Sequence, residues 1–151
     1  MNLKEIWTNR SWRFMFWLTA ALLAYRTSPD AGFPLALSAA TGALYLVMWV
    51  LLLHLDAKAG EKVSPVMKFM LVLMALMAVT LAAGSAGRVL TTTALLWLVP
   101  VGMPLQGLVR LVSAEASRSD RAMAVVSLAV LAALLLLRML WRQKAVRSDK
   151  N

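Results

Sequence analysis

The chain has 151 residues, of which 61% are hydrophobic and only 15% are charged. A soluble domain is usually about 45–50% apolar and about 25% charged. A chain this short must also leave much of its surface exposed to the surrounding solvent. The composition therefore excludes an ordinary soluble domain and predicts a single all-α unit, a polytopic integral membrane protein surrounded by the lipid bilayer.

The formal net charge is +9, from 16 Lys and Arg residues against 7 Asp and Glu residues. The basic residues lie between and beside the apolar runs, where lipid headgroups are their expected partners and nucleic acid is not. The chain has no cysteine, which excludes disulfides, thiolate metal ligands and cysteine nucleophiles. The small size and short loops favour a bacterial inner (plasma) membrane.

The pattern predicts a bundle of five hydrophobic helical segments in one domain, four or five of them crossing the membrane. They lie at about residues 12–26, 33–55, 66–84, 89–110 and 122–141, followed by a basic, frayed C-terminal tail at 142–151.

The first segment is short, because its apolar run would be about 18 Å long as a helix and the hydrocarbon core is about 30 Å thick. Three interpretations stay open. The segment is a short crossing helix with Arg13 and Arg26 snorkelling outward, a helix lying in the interface, or a signal-like segment.

The second segment, 33–55, carries no charge and is the clearest crossing helix. Two pairs of small residues, Ala36 with Ala40 and Ser38 with Gly42, have the spacing that allows another helix to approach closely. We therefore expect a helix-packing face in the first half of this segment.

The third segment places four methionines at helical spacing on one face, at Met67, Met70, Met74 and Met77. A copper relay would use such thioethers, but neither cysteine nor a nearby histidine joins them. Adaptable packing at a helix interface is the favoured interpretation. No metal and no cofactor is expected.

The fourth segment has no charge between Arg88 and Arg110, yet its second half contains prolines and glycines. Pro104 lacks an N–H and crowds the carbonyl of the residue one turn earlier, so the helix must bend or break. Broken helices at membrane depth mark binding sites in transporters, whereas a simple kink or hairpin tip is the plainer alternative. The candidate residues for this binding or kink site are Pro100, Gly102, Pro104, Gln106 and Gly107. The bracketing arginines, Arg88 and Arg110, are candidate contacts for a headgroup or another anion.

The positive-inside bias distinguishes three topologies. Five crossings with a cytoplasmic N-terminus put nine basic residues inside and seven outside. If residues 89–109 dip in and return on the same side, the division becomes eleven against five. If the first helix lies flat instead, it is ten against six. Charge favours four crossings, whereas hydrophobic length favours a true fourth crossing, and both interpretations stay open.

The sequence assigns no catalytic residue. All seven acids are predicted in termini or loops, including Asp56, and the one histidine, His54, lies beside it. Three functions stay open. The first is a non-enzymatic assembly, regulatory or immunity-type partner of another membrane protein or of a second copy. The second is an oligomeric channel or transporter lined by residues 97–107. The third is a membrane enzyme using His54 and Asp56.

Overall fold

The computed structural model describes residues 9–59, 61–83 and 96–150, and every regular element in these ranges is helical. The helices are α1 (Arg10–Arg26), α2 (Leu35–Lys58), α3 (Pro65–Ala83), α4 (Met103–Val112), α5 (Ala114–Arg118) and α6 (Asp120–Ser148). A 3-10 turn at Pro29–Ala31 precedes α2, and a π-helical turn at Leu98–Gly102 runs directly into α4.

Three described helices are long and apolar enough to cross a membrane, namely Leu35–Lys58, Pro65–Ala82 and Asp120–Ser148. The chain is therefore an integral membrane protein with an all-helical fold. The apolar stretch Leu98–Val112 is shorter than these three. At 1.5 Å per residue it is roughly 22 Å long, less than the hydrocarbon thickness of about 30 Å.

The bundle has two ends, which we name after two acidic residues. The Asp56 end is where α2 ends and α3 begins, and the Asp30 end is where α1 ends and α2 begins. α1 runs lengthwise along α2, since Arg13 Nη1 donates to the Leu51 carbonyl (2.7 Å) and Thr27 Oγ1 lies 2.7 Å from Thr41 Oγ1. It therefore runs from the Asp56 end to the Asp30 end.

The last helix runs in the opposite direction to α1. It begins at the Asp30 end, where Asp120 and Asp30 line one pocket. It reaches the Asp56 end at Arg138, which contacts both Asp56 and Met67. α3, which begins two residues before Met67, therefore runs antiparallel to α6.

Aromatic side chains fill the centre of the bundle. Trp17, Tyr45 and Trp49 are each at most 2% exposed, and the ring centroids of Trp17 and Trp49 are 4.9 Å apart in an edge-on arrangement. Phe69 of α3 meets Trp17 at 5.7 Å. Because large rings contribute much buried area and prefer such tilted contacts, this cluster joins α1, α2 and α3.

Two predictions from the sequence differ from the structure. Arg13 does not snorkel outward but is buried against α2, because the Leu51 carbonyl accepts its hydrogen bond. Residues 142–148 are not a frayed tail but the last turns of α6. They are rich in good helix formers, and Arg147 lies in the last turn, where a positive charge complements the helix dipole.

Candidate functional site

The segment with Pro100 and Pro104 bends through a π-helical turn rather than breaking completely. The Met103 N–H donates to the carbonyl of Leu98, five residues earlier, which is the hydrogen-bond pattern of a π-helix. The nitrogens of Pro100 and Pro104 carry no hydrogen and cannot donate. The Pro100 carbonyl would normally accept from residue 104, which is a proline. The Tyr45 hydroxyl donates to that carbonyl instead, at 2.8 Å, so the acceptor freed by the proline is satisfied within the bundle.

One face of this segment packs against α2 with almost no space between the two backbones. A Cβ added to Gly107 would lie 2.5 Å from the carbonyl carbon of Ser38, and one added to Gly42 would lie 2.8 Å from the carbonyl oxygen of Pro104. Real Cβ atoms do not approach so closely, so both positions require glycine. Since Tyr45 meets Pro100 and Ser38 meets Gly107, the segment runs antiparallel to α2, from its middle back to the Asp30 end.

The opposite face lines a pocket of about 170 Å³ at the Asp30 end. Leu98, Gly102 and Gln106 follow one another at four-residue spacing and therefore share this face. The loops beside them complete the pocket with polar groups, among them Asp30, Ser117, Arg118 and Asp120. The structure thus divides the predicted site residues into a packing face and a pocket face.

Gln106 connects three parts of the chain at this pocket. Its Nε2 donates to Asp30 Oδ2 at 2.6 Å and to the Ser117 carbonyl at 3.3 Å. Both partners are acceptors, which fixes the amide nitrogen on their side. The amide oxygen is buried and has no hydrogen-bond partner among the described residues.

Arg110 lies beside the pocket, with its Nη1 3.8 Å from Asp30 Oδ1. The two side chains are 28% and 56% exposed, so the attraction is screened by solvent and contributes at most about 1 kcal/mol. The other predicted anion contact, Arg88, lies outside the described residues. The sequence did not predict the loop residues of this pocket, because Asp30 and Gln106 are 76 positions apart.

A second polar cluster lies at the Asp56 end and is fully buried. Arg138 Nε donates to Asp56 Oδ2 at 2.6 Å, with the two side chains 1% and 0% exposed. Arg138 Nη2 also donates to the Glu61 carbonyl at 3.1 Å. The Ser64 hydroxyl donates to the same Asp56 oxygen and accepts from the Met67 N–H, so it caps α3 as well.

This cluster corrects the prediction that Asp56 lies in a loop. Asp56 belongs to the last turn of α2, and Arg138 points into the bundle. Two opposite charges remain buried together because each supplies the other's missing solvation. The signal in the sequence was an arginine within an apolar run, since ionised groups at membrane depth usually have a partner.

His54 and Asp56 are not brought together. The Asp56 carboxylate faces Ser64 and Arg138, whereas the His54 ring packs edge-on against Trp141, with centroids 5.0 Å apart. Residues two apart on a helix point to nearly opposite sides, which accounts for the separation. Within the part of the chain that the structure describes, no group of three or more His, Cys, Asp or Glu could hold a metal ion.

The predicted packing faces are only partly interior. Ser38 and Gly42 are buried against the segment that carries Gly107, whereas Ala36 and Ala40 are exposed on the other side of α2. Of the four methionines, Met70 and Met77 are fully buried, and Met67 and Met74 are half-buried.

Comparison with known proteins gives no family assignment: no family model, curated protein or solved structure matches the chain.

Proposed function

We propose that the chain crosses a bacterial inner membrane four times, through α1, α2, α3 and α6, and that the segment that ends in α4 is re-entrant. The direction of α4 supports this topology. α3 runs toward the Asp30 end, and α4 returns to that same end from the middle of α2. A segment that starts and finishes at one end adds no crossing.

The distribution of charge supports the same topology. With this arrangement, five of the 16 basic residues are on the side of the Asp30 end: Arg26, Arg110, Arg118 and Arg121, and by the order of the crossings alone Arg88. The other eleven belong to the Asp56 end, which the positive-inside bias assigns to the cytoplasm. Both termini are then cytoplasmic.

We propose further that the protein is a non-enzymatic partner of another membrane protein or of a second copy of itself. The observation that carries this proposal is that every buried charged side chain in the described part of the chain is bonded to another group of the same chain. Among the described residues, the buried charged side chains are Arg13, Asp56 and Arg138. Each bonds to another helix or loop of the bundle, so none is available to bind a passing ion or to act as an acid or base.

The outer surface is where such a protein interacts. Two apolar grooves, of about 450 and 380 Å³, open on the outside of the bundle. One lies among α1, α2 and α3, and the other lies among α2, α4 and α6. Only lipid or another membrane protein reaches such grooves in a bilayer, which favours a role through lateral packing.

A small oligomeric channel or transporter is the second candidate. The observation in its favour is that Leu98, Gly102 and Gln106 line a pocket whose walls are partly polar. The tight contact of Gly107 with Ser38 speaks against a path on the other face of the segment.

The two candidates predict opposite results with purified protein. If the protein is a partner, a mild-detergent extract of native membranes contains a second membrane protein or a second copy crosslinked to it in fixed ratio. Purified protein in liposomes then passes no ion or small solute. Flux in liposomes that is reduced by Gln106→Ala, but unchanged by the exposed control Ala40→Ser, would contradict the partner role and support the channel.

A further inference from the structure

We propose that the pocket at the Asp30 end binds a primary ammonium group, either that of an aminophospholipid headgroup or that of a small free amine. This inference goes beyond the partner role and does not rest on it. It requires only that the Asp30 end lies at a membrane surface, which follows because α2 and α6 are both of spanning length and both begin there.

Three of the side chains that line the pocket carry acceptor oxygens, namely Asp30, Gln106 and Asp120. The Gln106 amide oxygen has no partner among the described residues, although the side chain is only 7% exposed. The carboxylates of Asp30 and Asp120 also line the pocket. A primary ammonium supplies three N–H donors and one positive charge, which matches these acceptors. A quaternary ammonium supplies the charge without any donor.

The positive charges near the pocket do not remove its preference for a primary ammonium over a quaternary one. Arg110 stands 3.8 Å from one oxygen of Asp30, in an exposed pair that solvent screens. Arg118 lines the pocket, and within the described part of the chain it makes no ion pair with Asp120. A guanidinium at the rim is suited to the phosphate that accompanies the ammonium in a lipid headgroup.

Size and position agree with a headgroup or a small amine. The pocket volume is about 170 Å³, room for a few heavy atoms but not for an acyl chain. Its apolar walls, Leu98, Met103 and Met123, can contact the carbons next to the nitrogen. The pocket lies where α6 begins, which is the depth of lipid headgroups for a crossing helix.

The test is native mass spectrometry of the purified full chain in detergent with equal amounts of phosphatidylethanolamine and phosphatidylcholine. We expect the wild type to retain phosphatidylethanolamine about tenfold better, as a charged hydrogen bond implies. Gln106→Leu and Asp30→Asn should each bring the ratio close to one. Glu115→Gln, a matched loss of one carboxylate in α5 at the same end, should leave the ratio unchanged.

Competition identifies the source of the ammonium. Displacement of the bound lipid by ethanolamine, but not by choline, supports a site for free amines. Retention of the lipid against ethanolamine supports a headgroup site. Equal retention of the two lipids by the wild type overturns the proposal. So does a phosphatidylethanolamine preference that survives Gln106→Leu, Asp30→Asn and, as a third variant, Asp120→Asn in protein with wild-type melting temperature.

Discussion

Replacing Arg138 with methionine is expected to lower the free energy of unfolding by about 3–5 kcal/mol, because it leaves the Asp56 carboxylate buried without its countercharge. Arg138 and Asp56 are 1% and 0% exposed and 2.6 Å apart, so water cannot replace the lost partner. The guanidinium also holds the Glu61 carbonyl, and the loop between α2 and α3 loses that contact too.

The double variant Asp56→Leu/Arg138→Met distinguishes the cost of one unpaired buried charge from the cost of losing the whole pair. Removing both charges removes the desolvation penalty together with the attraction, so this variant should be closer to wild type than Arg138→Met alone. Lys144→Met, an exposed change farther along the same helix, should stay within about 0.5 kcal/mol of wild type. Denaturant unfolding in detergent micelles measures all three variants. Full stability of Arg138→Met would show that the pair is solvated.

Replacing Gly107 with alanine is expected to destabilise the protein by about 1–3 kcal/mol, because the added Cβ overpacks the contact between α4 and α2. The nearest atoms, at 2.5 and 2.6 Å, are the backbone carbonyl carbon and oxygen of Ser38. A backbone cannot rotate away as a side chain can. The Ser38 hydroxyl also donates to the carbonyl of Thr27, the residue that follows α1, so movement of Ser38 disturbs α2, α4 and the end of α1.

The sign of the change in stability on Gly107→Ala shows whether the contact between α4 and α2 is close. In an unobstructed helix, glycine to alanine is stabilising by roughly 1 kcal/mol, so only the close contact can make Gly107→Ala destabilising. Gly42→Ala meets the Pro104 oxygen at 2.8 Å and should cost less than Gly107→Ala. Ala40→Leu, on the exposed side of α2, is the control and should melt near wild type. A Gly107→Ala protein with a raised melting temperature would contradict the close packing.

The sequence predicts the local effect of the prolines in residues 97–107, but not which residues of other helices this segment contacts. Pro104 had to leave the Pro100 carbonyl without its usual donor, and this followed from proline alone. That the donor is Tyr45 could not be predicted, because the two residues are 55 positions apart. The helical segments were predictable for the reason that lipid requires long apolar runs with internal hydrogen bonds.

The charges were harder to predict than the helices. Asp56 begins a polar stretch and therefore reads as a loop residue, yet Arg138, 82 positions later, keeps it buried within α2. A favourable pair of this kind depends on how two distant helices pack, which composition and periodicity do not contain. The same applies to Asp30 and Gln106, whose contact forms the pocket at the other end.

The measurement that tests the proposed topology most directly is labelling of single cysteines in intact cells, which is clean because the native chain has none. An impermeant maleimide should label Ala114→Cys in intact cells, and should label Val63→Cys and Ser148→Cys only after the membrane is permeabilised. Five crossings with a cytoplasmic N-terminus would protect Ala114→Cys and expose Ser148→Cys. A first helix lying flat would expose Val63→Cys. Either of these two patterns would contradict four crossings with a re-entrant segment.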